Sequence, residues 1–569
     1  MSQKVYTIKF AGPAGLGIKS VGQLFSKILI AHGFNLAEYS EYPSLVRGGH
    51  NTCQISFSTD KVFAPHRQVD FFFSIVPTHW SQHLDEFVSD TLIFSDEEFN
   101  KKDPEYNRRE KGQFLQLPFK TLAGEIGSPL VVNTISLGVA AYLLNFDIEL
   151  TKTIVCGFYK TFCDLNARAI QSGYDYAKIN FSKIKLDLAP KINKEKKSFY
   201  EGNEAYSLGF LAGKGNFYCA YPMTPATSVL HFLAAKQEAN PYLKVIHAED
   251  EIGVANMAVG AAFAGSRAAV GTSGGGFALM NEAVSLCGIT EIGVVYYLVS
   301  RPGPATGIPT YTAQGDLLYA IHSGHGEFPK IVLAPGDVDE SFEMGYQSLN
   351  LAAKIQTPVI VVSDKFLGES STSTKDLSKI KPPIEYGDIE TKPGVDFKRY
   401  QFTKSGISPL TVPGTKNGQF LANSYEHDEF GFSTEDALIA KKMFDKRMLK
   451  NKLAIKLAPK ANFFGDKLAK KLIISWGSTK GPILEALKNI KNASDYAFLQ
   501  IKTVWPINPD IKKIIDGFKE TIVIENNGIG QLVSVLKSQF DFNPTKIYLK
   551  YDGRPFFPEE IIKYLEIRH

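Results

Sequence analysis

Three consecutive acids, Glu249, Asp250 and Glu251, close a short β-rich run and open a helix of small and apolar residues. A carboxyl at the lip of such a helix is costly to bury unless it is used, and dry surroundings can hold its pKa near the working range for proton transfer. The plain alternative is that acids favour a helix N-terminus, which accounts for Asp250 and can account for all three. Upstream, Tyr221-Pro222-Met223-Thr224-Pro225 fixes its backbone with two prolines and leaves the Thr224 hydroxyl exposed at a strand end. Downstream, Arg301 ends an uncharged strand and is braced by Pro302, Gly303 and Pro304. Packing explains such an arginine poorly. A rival chemistry lies between them: Gly271-Thr272-Ser273-Gly274-Gly275 satisfies the G-x-S-x-G pattern of a serine nucleophile, with His325 or His427 as its base.

The elements that must carry these residues read as a parallel sheet. Asn216 to Ala220, Val245 to His247, Arg267 to Val270, Gly293 to Val299, Lys330 to Leu333 and Val359 to Val362 have strand character. The helix from Gly253 to Ala262 has no polar face apart from Asn256, which predicts burial on nearly all sides. A glycine turn, Thr272 to Gly276, leads into a helix from Phe277 to Leu286. This is α/β grammar, with the site at the strand ends.

At the N-terminus a strand, Lys4 to Phe10, runs into Gly12-Pro13-Ala14-Gly15-Leu16-Gly17 and a helix to about His32, an arrangement able to cradle phosphate. Glu38 falls where a dinucleotide fold reads a ribose, but the spacing is G-x-x-G-x-G, which argues against NAD. Tyr42 to Asn51 reads as a polar loop, either a plain turn or one offering Arg47 to an anion. An apolar helix is expected near Pro129 to Leu144, and a Lys-rich linker near Lys191 to Ser198. From about Lys375 to Lys460 periodicity is lost, and Lys446 to Lys460 reads as a solvated face or linker. Such a long excursion rarely persists without cause and is expected to wrap a partner. A last α/β unit carries strands at Leu472 to Ser475, Tyr496 to Ile501 and Thr521 to Ile524.

A chain of 569 residues is too long for one core and implies three or four domains. Its net charge of +4, from 63 basic and 59 acidic residues, is too balanced to argue for nucleic acid. The five cysteines contain no C-x-x-C pair, which argues against a self-contained iron–sulfur or zinc site and suits a reducing compartment better than a disulfide scaffold. No signal-like segment and no apolar run of about 18 residues stands out, so a soluble, cytoplasmic protein is expected.

The hydrolase reading lacks an HGGG-like oxyanion loop and leaves Glu249 to Glu251, Thr224 and Arg301 without work. Thiamine diphosphate chemistry uses them: it needs one glutamate hydrogen-bonded to the aminopyrimidine ring in an apolar pocket, and Glu251 begins a helix whose Gly and Ala residues let a flat ring approach. Here the motifs carry a resemblance. GPAGLGI with YPSLVRGGHN, GNEA followed by YPMTPAT, AEDEIGVANMAVGAAFAG with TSGGGFALMNE, SRPGPATGIPT, and the distal EHDEFG, WGST and ENNGIGQL span nearly the whole length. The chain resembles the α subunit of the 2-oxoacid:ferredoxin oxidoreductases, of the type with the γ domain fused N-terminally, and looks most like those acting on 2-oxoglutarate. Pyruvate and branched-chain 2-oxoacids are the alternatives.

The resemblance implies a multi-domain α/β fold. Residues 1–195 would form a Rossmann-like γ domain associated with coenzyme A, and 196–375 a doubly wound pyrimidine-binding domain. Residues 376–465 would be a linker or excursion, and 466–569 an α/β domain like the transketolase C-terminal one. It implies that Glu251 activates thiamine diphosphate, that Thr224 and Arg301 contact the substrate's oxo and carboxylate groups, and that Tyr221, Pro222, Gly274 and Gly275 line the cofactor. Gly12, Gly15, Gly17 and Arg47 are the loosely assigned coenzyme A positions. Met223 stands for the family's usual isoleucine and Gly275 for a frequent proline; neither change removes a functional group. No G-D-G…N motif for Mg²⁺ and no cluster cysteines are found. The resemblance therefore implies a β subunit bringing Mg²⁺–diphosphate and a [4Fe–4S] cluster, ferredoxin as electron partner, and an (αβ)₂ assembly. The implied reaction is reversible oxidative decarboxylation with CoA thioester formation, usable for CO₂ fixation in a reductive tricarboxylic acid cycle.

Overall fold

The computed structural model describes residues 4–44, 48–75, 79–96, 111–186, 188 and 197–567. Three sheets carry the chain. The central one has seven strands in the order Thr503–Trp505, Ile331–Leu333, Val359–Asp364, Val295–Ser300, Ala268–Thr272, Phe217–Ala220 and Lys244–His247. All pair in parallel except Thr503–Trp505, an antiparallel edge lent by the C-terminal part of the chain. Val295–Ser300 and Val359–Asp364 are buried along their whole length, which is why they read as unbroken apolar runs.

The first sheet has eight strands. Its parallel half joins Gln113–Gln116, Phe87–Ser95, Val69–Ser74 and Tyr6–Ala14. The other half is antiparallel: Gly48–Ser58, Asn35–Glu41, Ser371–Lys375 and Lys197–Glu201. Gly48 to Asn51 are thus strand, not loop, and the expected linker ends in a strand at Ser198; the rest of that linker lies outside the described residues. The third sheet runs Asn462–Phe464, Tyr496–Gln500, Lys471–Ser475, Glu520–Glu525 and Lys546–Leu549, parallel except at Asn462–Phe464.

Several expectations are corrected. Glu38 does not face the glycine turn: it is buried under the first helix, accepts from Ser26 Oγ at 2.8 Å and lies beside Cys53. Burial pushes its carboxyl up to about 7, a poor state for reading a ribose. Cys156 and Cys163 form a disulfide across the turn between the helices Ile148–Phe158 and Cys163–Asn180, against the expectation of a reducing compartment drawn from cysteine usage.

The Lys-rich stretch of the excursion is a helix rather than a linker, solvated at Lys452 and Lys456 but buried along one stripe. Ala437–Leu457 is a 21-residue helix capped by Asp436, which accepts from the backbone N–H groups of Leu438 and Ile439. Its buried stripe is Met443, Lys446, Arg447, Lys450 and Ala454, a helical spacing built largely from cations. Lys446 and Lys450 reach Glu291 at 2.6 and 2.5 Å, and Arg399 donates to the Glu291 carbonyl at 2.7 Å. Burial alone would raise the Glu291 carboxyl, but the two lysines hold it far below the usual range. Arg447 pairs with Glu426 of the EHDEFG motif. The excursion is pinned to the central domain by ion pairs, with two isolated bridges, Ile389–Leu410 and His427–Ser433, before the helix.

Candidate functional site

The site forms where the parallel strands of the central sheet end. The helix Glu251–Phe263 follows Lys244–His247, and its N-cap is Asp250, whose carboxylate accepts from Gly253 N–H at 2.7 Å. Asp250 is therefore a capping residue, and Glu249 is exposed beside it. Glu251 differs: it is 4% exposed, and its Oε1 has no hydrogen-bond partner. An unpaired buried carboxylate oxygen is expensive in a finished structure and calls for an explanation.

The helix does not bury all its sides. Val254, Ala255, Ala258, Val259 and Ala262 face the core, whereas Ile252 is 53% and Met257 39% exposed, with Asn256 and Gly260 on the same open face. The open side is largely apolar, although Met257 Sδ still lies 3.8 Å from Cys219 Sγ. Leu279, also exposed, continues this face. Beside it lies a groove of about 550 Å³ whose walls include Ile252, Asn256, Leu279, Glu282, His325 and Arg447.

The glycine turn ends Ala268–Thr272 and opens a short helix, Gly274–Leu279, followed by Asn281–Thr290 rather than one continuous helix. A Cβ on Gly276 would stand 2.6 Å from Glu251 Oε1, and one on Gly274 would stand 2.8 Å from both carboxylate oxygens of Asp316. The glycines therefore let two acids close on the same turn. Ser273, between them, has a buried Oγ without a partner. Neither proposed base reaches it: His325 Nδ1 bonds with Ser285 Oγ at 3.1 Å, and His427 Nδ1 with the Tyr425 carbonyl at 3.1 Å. No nucleophile–base pair exists at Ser273, so the hydrolase reading falls.

Thr224 and Arg301 come together, although 76 residues of sequence lie between them. Arg301 Nη1 donates to the Thr224 carbonyl at 2.6 Å. Thr272 Oγ1, at the end of the glycine strand, lies 3.9 Å from Met223 Sδ and ties the same loop to the turn. Tyr221 is exposed at the mouth, its ring edge-on to His247, and Pro222 is half-buried next to it. Burial lowers the Arg301 pKa, partly offset by Asp316, and burial raises the Asp316 carboxyl against the pull of Ser300 and Arg301. Asp316 Oδ2 has no hydrogen-bond partner. Sequence reasoning missed Asp316; the only signal was an acid in Gln314-Gly315-Asp316-Leu317 just past the arginine loop. The C-terminal domain braces this segment: Gln314 N–H donates to the Asn526 carbonyl at 2.7 Å, and Gln531 Nε2 to the Gly315 carbonyl at 2.7 Å.

At the other end, Gly12 lies in the first strand and Gly17 caps the helix Ile18–Ala31 with no side-chain cap, leaving Gly15 and Leu16 exposed in the turn between. Arg47 lies outside the described residues. Among the described residues no group of three or more His, Cys, Asp or Glu side chains could hold a metal ion. No helix among them is long and apolar enough to cross a membrane.

The comparisons with known proteins agree with this geometry. Residues 209–445 match the family model described as pyruvate flavodoxin/ferredoxin oxidoreductase, thiamine diphosphate-binding, and residues 7–176 that of pyruvate ferredoxin/flavodoxin oxidoreductase. Fold and site thus define an oxidoreductase subunit built on a thiamine diphosphate-binding α/β domain. The chain is 32% identical to the α subunit of 2-oxoacid:ferredoxin oxidoreductase from Saccharolobus solfataricus, covering 97% of this chain and 95% of that one. It is 25% identical to the 2-oxoglutarate oxidoreductase subunit KorA of Mycobacterium tuberculosis, over 98% and 90%. The solved 2-oxoglutarate:ferredoxin oxidoreductase of Magnetococcus marinus, with 2-oxoglutarate, coenzyme A and succinyl-CoA bound, matches with a TM-score of 0.92 at 29% identity, covering 99% of both chains. The chain belongs to the 2-oxoacid:ferredoxin oxidoreductase family, as an α subunit.

Proposed function

We propose that this subunit carries the aminopyrimidine half of a thiamine diphosphate site and the 2-oxoacid pocket of an enzyme that oxidatively decarboxylates 2-oxoglutarate, forming succinyl-CoA and reducing ferredoxin. The observation that carries the reading is Glu251 Oε1, buried and unpartnered against Gly276. Ser273 Oγ and Asp316 Oδ2, also without partners around the same glycines, fit a site that awaits a polar ring. Thiamine diphosphate supplies, when bound, the nucleophilic carbon that decarboxylation of a 2-oxoacid requires. Glu251 Oε1 would hold the proton shared with a nitrogen of the ring. Arg301 pairs with the substrate carboxylate, and the Thr224 hydroxyl donates to the 2-oxo oxygen. Tyr221, Pro222, Gly274 and Gly275 shape the walls.

A second subunit completes the site. The open apolar face of Ile252, Met257 and Leu279 supports this, since solvent is a poor neighbour for it. That β subunit brings Mg²⁺ for the diphosphate and a [4Fe–4S] cluster, in an (αβ)₂ assembly of the cytoplasm that also runs in reverse to fix CO₂. Coenzyme A is the acyl acceptor, with the Gly12 to Gly17 turn as its candidate contact. The substrate assignment follows the names of the KorA relative and of the Magnetococcus enzyme.

The test is co-purification with the β subunit and a panel of 2-oxoglutarate, pyruvate and branched-chain 2-oxoacids with a viologen acceptor. Glu251→Gln is expected to lower turnover roughly 10²–10⁴-fold, the span for a lost acid–base group. Near-wild-type turnover in that variant refutes the role of Glu251, and a preference for pyruvate refutes the substrate.

A further inference from the structure

The Gly202-Asn203-Glu204-Ala205 stretch starts the helix Gly202–Ala212 and gives no residue to the site described above. Asn203 is nevertheless wholly buried with both ends of its amide engaged. Its Nδ2 donates to the Pro225 carbonyl and to Ser228 Oγ, each at 2.9 Å, and its Oδ1 accepts from the Tyr297 hydroxyl at 2.7 Å. Tyr297 is also wholly buried and stacks on Tyr206 with ring centres 3.8 Å apart. It belongs to the strand Val295–Ser300, which delivers Arg301. Arg301 holds the Thr224 carbonyl. The successive carbonyls of Thr224 and Pro225 are thus both held from one strand, the first directly and the second through Asn203.

Thr224 lies in a loop, so neither helix nor strand geometry aims its hydroxyl. The aim comes from these two grips. We propose that Asn203 is a positioning residue: with Tyr297 it clamps the Pro225 carbonyl, so that the Thr224 hydroxyl and the Arg301 guanidinium keep one fixed separation across the 2-oxoacid. The inference rests on the substrate roles given to Thr224 and Arg301 above. A misplacement of about 1 Å in a group that holds a reacting substrate can cost up to ~10² in rate. An asparagine amide suits this task because Pro225 requires a donor and the Tyr297 hydroxyl supplies one, so only one orientation of the amide satisfies both.

The experiment uses the enzyme assembled with its second subunit. Tyr297→Phe removes one hydroxyl and keeps the stacked ring; Asn203→Ala removes the clamp; Ser228→Ala removes the other acceptor of the Asn203 amide; Thr224→Val removes the hydroxyl being aimed. Tyr297→Phe is expected to lower kcat/KM about tenfold and Asn203→Ala further, towards the Thr224→Val value, while Ser228→Ala stays within twofold of wild type. Deuterium exchange of the thiamine C2 proton, followed by NMR, depends on Glu251 and not on the clamp. It is expected to stay at the wild-type rate in Tyr297→Phe and Asn203→Ala. Loss in Thr224→Val with wild-type kcat/KM in both of those variants overturns the clamp alone. So does a parallel fall of C2 exchange and turnover, which marks a merely structural role. Full activity in Thr224→Val overturns the substrate assignment on which the inference stands.

Discussion

His66 sets how firmly the N-terminal sheet sits on the C-terminal domain. Its Nδ1 lies 2.9 Å from Glu559 Oε1 and its Nε2 3.5 Å from Glu485 Oε1. The two acids also accept the backbone N–H groups on either side, Phe63 to Glu485 and Arg67 to Glu559. Burial alone would lower the His66 pKa, but the two carboxylates raise it from 6.5 to about 9. A folded-state pKa above the unfolded one stabilises fully below the unfolded value and is lost as pH rises through the folded one. A shift of about 2.5 units corresponds to ~3 kcal/mol below pH 6.5, of which ~2 kcal/mol disappears between pH 7 and pH 9. The assay is urea denaturation at pH 7 and pH 9, with His66→Gln beside wild type. Wild type is expected to lose ~2 kcal/mol more than the variant over that interval. Equal losses in the two proteins refute the reasoning, because the pH dependence would then arise elsewhere.

Arg301→Ala should raise the KM for the oxoacid as well as lower kcat, and an unchanged KM in steady-state kinetics moves the carboxylate site elsewhere. Gly276→Ala places a methyl against Thr272 Oγ1 and 2.6 Å from Glu251 Oε1, so turnover should fall together with a loss of local stability, read by kinetics alongside thermal unfolding followed by circular dichroism. Lys446→Met removes one of the two lysines on Glu291 and leaves Lys450 paired with it, so ~1.5–3 kcal/mol of destabilisation is expected, seen as early proteolysis between residues 380 and 440.

What was legible in the sequence follows from where each signal originates. The central sheet could be read because Val295–Ser300 and Val359–Asp364 are buried on both faces and leave unbroken apolar runs. Arg301 stood out because a charge at the tip of such a run lacks a packing explanation, and Glu251 because it opens a helix of small apolar residues. The helix Ala437–Leu457 was hidden because its inward stripe carries Lys446, Arg447 and Lys450, and Glu291, the partner of the two lysines, lies far away in the chain. The open face of Glu251–Phe263 was misread for the opposite reason. Apolar composition alone predicted burial on every side, and no described part of the chain fully covers Ile252 and Met257. Asn203 and Asp316 were missed because a buried asparagine or aspartate acquires meaning only from what the fold sets against it.

The strand Ser371–Lys375, wedged between Asn35–Glu41 and Lys197–Glu201, orders events during synthesis. Some 330 residues separate Glu38 from its neighbour at Ser371, so a bare row of peptide groups at Asn35–Glu41 awaits pairing while the ribosome still makes the middle of the protein. Such an unpaired edge invites mispairing between nascent chains on one polysome, and a chaperone that shields it until residue 375 emerges would raise the yield of folded subunit.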